Sequence, residues 1–182
     1  RDVPLMRDKK EADVLYWAGC SGAYDSRGKE ISQAVVDVMN KAGIDYASLG
    51  NEETCTGDSA RRIGNEYLFQ TMAEKNKETF EQYKFKKIVT QCPHCFTTLK
   101  NDYSELGINL EVIHHSQFIN DLITEKKIDP KPWMDEDVTF HDPCYLGRHN
   151  DEYDAPRNVI QSVLRDGELK EMEQTKSESF CC

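Results

Sequence analysis

The stretch Val14-Leu15-Tyr16-Trp17-Ala18-Gly19-Cys20 sets the pattern of the chain, because five consecutive apolar residues run directly into a glycine and a cysteine. A short, unbroken apolar run is typical of a strand that is buried on both faces of a parallel sheet. Beyond the cysteine, apolar residues recur at helical spacing over residues 31–39. The sequence therefore predicts a strand, a loop that holds Cys20, and a helix.

Further strands and helices alternate downstream of this unit. The predicted strands cover residues 44–49, 87–90 and 110–113. The predicted helices cover residues 60–83, 92–106 and 118–124, and the first of these has Ile63, Tyr67, Met72 and Phe80 as its buried candidates. This alternation indicates an α/β fold with mainly parallel sheets and right-handed crossovers. The cysteines fall at the C-terminal ends of strands, which is where such sheets collect ligands.

The domain organisation is predicted as two pseudo-repeated halves. Residues 1–13 are charged and are expected to be a tail or linker, residues 14–129 form the first half, and two prolines near residue 130 mark the boundary. Residues 130–182 begin a second half, with strands at 138–140 and 169–172 and a helix at 156–164 whose Val159, Ile160 and Val163 point inward. Cys144 and Cys181 occupy the places that Cys20 and Cys55 hold in the first half, so we expect an internal repeat whose second copy is cut short.

Composition excludes several classes of protein. The 182 residues carry a formal charge of −10, and lysines and arginines form no cluster larger than pairs, which argues against a nucleic-acid surface. No apolar run approaches the roughly 18 residues that a membrane-spanning helix needs. With no signal peptide in the sequence, we expect a cytoplasmic protein.

Seven cysteines are the unusual feature of this composition. A chain of this size can bury an adequate core without disulfides, so metal or redox chemistry is the better explanation. Four thiolates from Cys20, Cys55, Cys92 and Cys95 could hold either a zinc ion or a four-iron cluster. Two of the four arrive singly from distant strand ends, which favours a cluster. The alternatives are ordinary buried cysteines and, for Cys92-Pro93-His94-Cys95 alone, a thioredoxin-like redox pair.

Several other side chains are candidates for the site, and each also has a structural interpretation. His94 could bind metal or donate a proton, or it could only shape the turn between two cysteines. His141 could orient a site or shuttle protons, and Arg148 could bind an anion or form an ordinary salt bridge. We also expect the pair His114-His115 to line the crevice, with at least one histidine exposed or titrating near neutral pH, or else to be a buried structural pair.

These cysteine spacings resemble the CCG motif that occurs twice in heterodisulfide reductase-type proteins. The first copy resembles the motif at Cys20, Cys55-Thr56-Gly57-Asp58 and Cys92-Pro93-His94-Cys95, and the second runs from His141-Asp142-Pro143-Cys144 to Phe180-Cys181-Cys182. The likeness is strongest to the iron–sulfur oxidoreductases that are linked to electron-transfer flavoprotein or are similar to the D subunit of heterodisulfide reductase, and it spans nearly the whole chain.

The resemblance implies an iron–sulfur oxidoreductase domain that passes electrons through a cysteine-bound [4Fe-4S] cluster, cubane or non-cubane, to a disulfide, a quinone or another carrier. A non-catalytic module with structural zinc that docks a redox partner is the alternative. Implied partners are a ferredoxin-like iron–sulfur domain or subunit and a flavoprotein or membrane-bound carrier, through which the protein would associate with a membrane. Thr56 replaces the second cysteine of the first pair, and Cys144, Cys181 and Cys182 offer an incomplete second site.

Overall fold

The computed structural model describes residues 3–181. The chain divides into two compact units, of which the first ends at His115 and the second begins at Ser116. The elements of the first unit are α1 (Met6–Lys9), β1 (Val14–Trp17), α2 (Gly19–Tyr24), α3 (Ser26–Lys41), β2 (Tyr46–Ser48), α4 (Asp58–Arg62), α5 (Glu66–Phe80), β3 (Lys87–Thr90), α6 (Pro93–Thr97), α7 (Tyr103–Glu105) and β4 (Val112–His114). A π-helical turn, Thr98–Asp102, joins α6 to α7.

The four strands form one parallel sheet in the order β2-β1-β3-β4, which confirms the predicted α/β class. The chain passes from β1 to β2 on one side and then returns to place β3 on the other side of β1. The direction of winding therefore reverses between β1 and β3, and the crevice at such a switch point is the usual ligand site of open parallel sheets.

The core lies along β1 and β3. All four residues of β1 are buried, and Leu15, Trp17, Ile88 and Val89 are at most 1% exposed. Burying a side chain of this kind contributes roughly 1.5–3 kcal/mol to folding. The unbroken apolar run that predicts a central strand is thus explained by the burial of β1 on both faces of the sheet.

The N-terminal segment differs from the charged tail that the sequence predicts. Residues 6–9 form α1, and Met6 is completely buried. The backbone of this segment also meets the sheet, since Ser48 N–H donates to Pro4 O at 2.9 Å. One apolar side chain therefore anchors a segment whose composition is otherwise that of a solvated tail.

The single long helix predicted over residues 60–83 is wrong, because the structure has two helices there. Gly64 adopts a left-handed φ of +81°, and the Asn65 side chain caps α5 by accepting the Leu68 N–H at 3.1 Å. The break rotates the two helices relative to a continuous helical register. Ile63 and Tyr67, predicted to be buried, are accordingly 81% and 84% exposed.

In its described residues, the second unit includes α8 (His115–Thr124), which begins at the boundary, α9 (Asp154–Gln161) and a short 3₁₀ helix, Lys176–Glu178. The strands predicted at 138–140 and 169–172 are wrong, since in the described residues they meet at a single bridge between Val138 and Leu169. Short apolar runs flanked by acidic residues and proline do not sustain a longer ladder here. The boundary also falls earlier than the predicted position near residue 130, since contacts divide the chain inside α8.

The second unit buries an ion pair in addition to apolar side chains such as Leu122 and Leu146. Val159, Ile160 and Val163 are only half-buried, whereas the Arg157 side chain is 8% exposed. Arg157 donates two hydrogen bonds to the Asp142 carboxylate, at 2.7 and 2.8 Å. The prediction of an inward aliphatic face for α9 therefore needs correction. Among the described residues, no helix is both long and apolar enough to cross a membrane.

Candidate functional site

A cavity of about 370 Å³ opens at the switch point between β1 and β3. Four cysteines line it, Cys20, Cys55, Cys92 and Cys95. These are the four residues that the sequence predicts as the first site, and the parallel sheet brings their three separate loops together. The remaining residues that line the cavity are Trp17, Gly19, Ala23, Tyr24, Glu53, Thr54, Thr56, Asp58, Ser59 and His94.

Cys20 follows β1 on the first turn of α2. The preceding Gly19 has a φ of +73°, and a Cβ atom added there would lie 3.2 Å from the Cys95 Sγ. Only glycine combines this left-handed backbone with so close an approach. The cavity therefore requires the glycine of the predicted glycine–cysteine turn, because a side chain at position 19 would crowd the sulfur of Cys95.

Glu53 joins the loop of Cys55 to the loop of Cys20. Its carboxylate accepts the N–H groups of Ala18 and Gly19, at 3.1 and 2.7 Å. Burial raises the pKa of Glu53 to about 7, although the two backbone donors lower it. Sequence reasoning missed this residue, and its position two residues before Cys55 in a polar loop was the available signal.

The backbone around Cys55 is held by two buried side chains from distant helices. Asn76 of α5 donates to Cys55 O at 3.0 Å and to the Tyr103 hydroxyl at 2.9 Å, while accepting from the Thr54 hydroxyl at 2.7 Å. Tyr103 donates to Thr56 O at 3.0 Å. The loop is therefore fixed on both sides of the cysteine. Sequence reasoning missed Asn76, and nothing local in the sequence connects it to Cys55.

Two cysteine sulfurs receive backbone N–H groups, as anionic sulfur requires. Gly57 N–H donates to Cys55 Sγ at 3.4 Å. A hydrogen bond from the Cys95 thiol, and further ones from the backbone of Cys95 and His94, lower the pKa of Cys92 to about 6. The hydrogen bond to Cys92, together with burial, raises the pKa of Cys95. As in other Cys-x-x-Cys turns at a helix start, the first cysteine is the thiolate of the pair.

His94 lies at the rim of the cavity, with its side chain 52% exposed. Its Nδ1 donates to the Asp58 carboxylate at 2.8 Å. Asp58 also accepts from Arg62 Nε at 3.0 Å and from the Thr98 hydroxyl at 3.3 Å. His94 is thus oriented by a buried carboxylate that is itself held by two further donors, and Asp58 is a site residue that sequence reasoning did not assign a role.

The pair His114-His115 does not behave as the sequence predicts. His114 is 4% exposed and donates from Nε2 to Gln91 O at 3.1 Å, directly before Cys92. Burial lowers the pKa of His114 to about 3 and that of His115 to about 4. The expectation of an exposed or neutral-titrating histidine is wrong, because His114 is buried, His115 is partly buried and the pKa of each is lowered. The structural alternative is the correct one.

In the second unit, the loop of Cys144 is tied to the segment that precedes Cys181. Arg148 donates to Ser177 O at 3.0 Å and to Ser179 O at 2.5 Å. Arg148 Nη1 therefore bonds backbone carbonyls of this segment, and binding of an anion by Arg148 stays a prediction. His141 Nε2 is buried without a hydrogen-bond partner in the part of the chain that the structure describes. The predicted ligand Cys182 lies outside the described residues.

The donor set of the first cavity suits a polynuclear group better than a single ion. Its volume is more than ten times the roughly 30 Å³ that one water molecule occupies. Four thiols, backbone N–H groups aimed at sulfur and a large cavity together fit an iron–sulfur cluster.

Comparisons with known proteins point to the same chemistry. The chain is 46% identical over 178 residues to the EtfAB:quinone oxidoreductase of Syntrophomonas wolfei, a match that covers 98% of this chain and 25% of that protein. It is 41% identical over 178 residues to the probable iron-sulfur-binding oxidoreductase FadF of Bacillus subtilis, with the same coverage. It is 34% identical over 185 residues to the D subunit of the dihydromethanophenazine:CoB--CoM heterodisulfide reductase of Methanosarcina mazei, covering 98% of this chain and 44% of that protein.

The chain therefore spans only 25% to 44% of the length of these relatives. No solved structure matches it significantly. The family model of the cysteine-rich CCG domain matches residues 14–100 and again residues 138–182. The two matched stretches contain all seven cysteines and most of the chain, so this protein belongs to the CCG cysteine-rich domain family.

Proposed function

We propose that this chain is the electron-transfer module of a larger iron–sulfur oxidoreductase, in which Cys20, Cys55, Cys92 and Cys95 hold a [4Fe-4S] cluster. The observation that carries the proposal is the convergence of these four thiols on one cavity at the switch point of the sheet. A cluster bound there would accept and release one electron at a time. The relatives named as quinone oxidoreductase, iron-sulfur-binding oxidoreductase and part of a heterodisulfide reductase support this role.

The residues of the chain would each serve this function in a definite way. Glu53, Asn76 and Tyr103 fix the loops that carry the ligands. His94, held by Asp58 at the exposed rim, would contact an incoming acceptor. The acceptor would be a disulfide, a quinone or another carrier, and the donor a ferredoxin-like domain or a flavoprotein.

We also propose that the protein is cytoplasmic and that its second unit contributes to a second cysteine site. All six described cysteines are free thiols, which suits the reducing cytoplasm. Membrane association would come through a membrane-bound partner. Cys144 and Cys181, with Cys182, would contribute three thiolates to a second site, and the bonds of Arg148 support this by tying the loop of Cys144 to the segment before Cys181.

Metal and sulfide analysis of the chain purified without oxygen tests the proposal. We expect about four irons and four sulfides per chain, with the visible absorption of thiolate-bound iron. Cys92→Ser should lose this iron, whereas the matched variant Cys144→Ser should keep it. About one zinc and no sulfide would refute the redox function. Loss of iron in Cys144→Ser but not in Cys92→Ser would assign the cluster to the second unit.

A further inference from the structure

Trp17 carries a buried donor that nothing in the described part of the protein uses. The residue is the last of β1, and its side chain is 1% exposed. Its indole Nε1 has no hydrogen-bond partner anywhere in residues 3–181. A buried N–H without an acceptor costs free energy, and native proteins seldom leave one unless a bound group completes it.

The ring of Trp17 is held rigidly beside the four cysteines. It packs edge-to-face against Phe80 of α5, with ring centroids 5.8 Å apart and planes at 63°. The residue also lines the cavity that Cys20, Cys55, Cys92 and Cys95 share. Strand β1 and helix α5 therefore fix where the indole lies, and the ring cannot turn its N–H toward solvent.

The indole of Trp17 lies beside the cavity that the cysteine sulfurs line. Trp17 lines this cavity together with Cys95, and within residues 3–181 no atom accepts a hydrogen bond from its Nε1. A sulfur atom that carries negative charge would be a stronger acceptor than a neutral thiol. The donor is thus placed for a bound group richer in anionic sulfur than the thiols alone.

We infer that the Trp17 indole N–H donates a hydrogen bond to a sulfur atom of the group bound in this cavity and raises its reduction potential. The inference rests on the proposed function, because it requires an iron–sulfur cluster at the four cysteines. Hydrogen bonds to cluster sulfurs are among the factors that set the potential of such centres, since they stabilise the more negative reduced state. Trp17 is a tuning residue in this role and not a ligand.

Redox titration of the anaerobically purified full chain tests the inference by replacing the donor alone. Trp17→Phe keeps an aromatic ring in the core and removes the N–H. We expect the reduction equilibrium to shift about tenfold toward the oxidised cluster, which is about 59 mV for one electron. Trp133→Phe is the matched control, because Trp133 is 63% exposed and lies in the second unit, and its potential should equal that of the wild type.

A spectroscopic measurement on the wild-type chain keeps the test decisive if Trp17→Phe folds poorly. The chain has two tryptophans, so it can be prepared with ¹⁵N in both indole rings. Pulsed electron paramagnetic resonance can then record hyperfine coupling between an indole ¹⁵N and the reduced, paramagnetic cluster. We expect coupling to one labelled nitrogen, retained in Trp133→Phe. No coupling, or an unchanged potential in a cluster-loaded Trp17→Phe, would overturn the inference and leave the proposed function standing. A wild-type chain without iron would overturn both.

Discussion

Replacement of Asn76 by leucine should weaken the first unit by about 2–3 kcal/mol. Asn76 is completely buried, and its amide makes three hydrogen bonds, to Cys55 O, the Tyr103 hydroxyl and the Thr54 hydroxyl. Each such bond contributes roughly 0.5–1.5 kcal/mol, and a buried partner left unpaired costs more. Thr54 is exposed and can bind water instead, so the loss comes mainly from the other two bonds.

Urea denaturation of the reduced, metal-free chain measures this loss. A Trp133→Phe background makes Trp17, buried in the first unit, the sole tryptophan reporter. In that background Asn76→Leu should lower the free energy of unfolding by the stated amount. Thr54→Ser, which keeps the hydroxyl that donates to Asn76, should lower it by less than about 1 kcal/mol. Under reconstitution Asn76→Leu should also bind less iron, because the backbone of Cys55 loses its anchor. A change within about 0.5 kcal/mol of the parent would refute the assignment of Asn76 as the anchor of this loop.

Three further outcomes are expected. Gly19→Ala should lower the free energy of unfolding by about 1–2 kcal/mol and lower the iron content per chain. The control is Gly43→Ala, because Gly43 also has a positive φ but has nothing within 4 Å of an added Cβ, so this variant should keep its iron. Equal iron loss in both variants would contradict the prediction. Burial holds the pKa of His114 at about 3 against 6.5, so the unfolded chain takes up the proton first and stability is lost as pH falls from 6.5. Urea denaturation should therefore show that the difference in free energy of unfolding between wild type and His114→Gln falls by about 2 kcal/mol from about pH 7.5 to about pH 5. A constant difference would exclude a neutral, buried His114 ring. Arg157→Met leaves the buried Asp142 carboxylate unpaired and should cost about 3–5 kcal/mol in the calorimetric stability of the second unit, with iron retained. A loss under about 1 kcal/mol would contradict a strong contribution of this ion pair to that stability.

The elements that the sequence predicts well are those whose local pattern agrees with their surroundings. β1 and β3 are central strands buried on both faces, so an unbroken apolar run identifies them without any knowledge of their neighbours. The break between α4 and α5 was missed because apolar spacing was given more weight than Gly64-Asn65, although a left-handed glycine followed by an asparagine cap is a recognisable helix stop and start.

The four cysteines of the candidate site could be predicted, and the residues that hold them could not. Thiols at strand ends are visible in one sequence because parallel strands deliver their C-terminal ends to one edge. The hydrogen bond from Asn76 to Cys55 O joins residues that are 21 positions apart on different elements. The Trp17 N–H lacks an acceptor because none of the described residues packed around it supplies one. Such facts arise from packing and have no local signature.

The placement of the cysteines on three separate loops sets the order in which this protein can be assembled. Cys20, Cys55 and Cys92 are about 35 positions apart along the chain, and the parallel pairing of β1 with β3 is what brings the first and third loops together. Proteins that depend on contacts of this sequence separation fold more slowly than proteins held by local contacts. A nascent chain that has not yet docked β3 offers two isolated thiols with no cavity between them. Under the proposed function, the four ligands of the cluster would therefore share one cavity only after β3 has paired with β1.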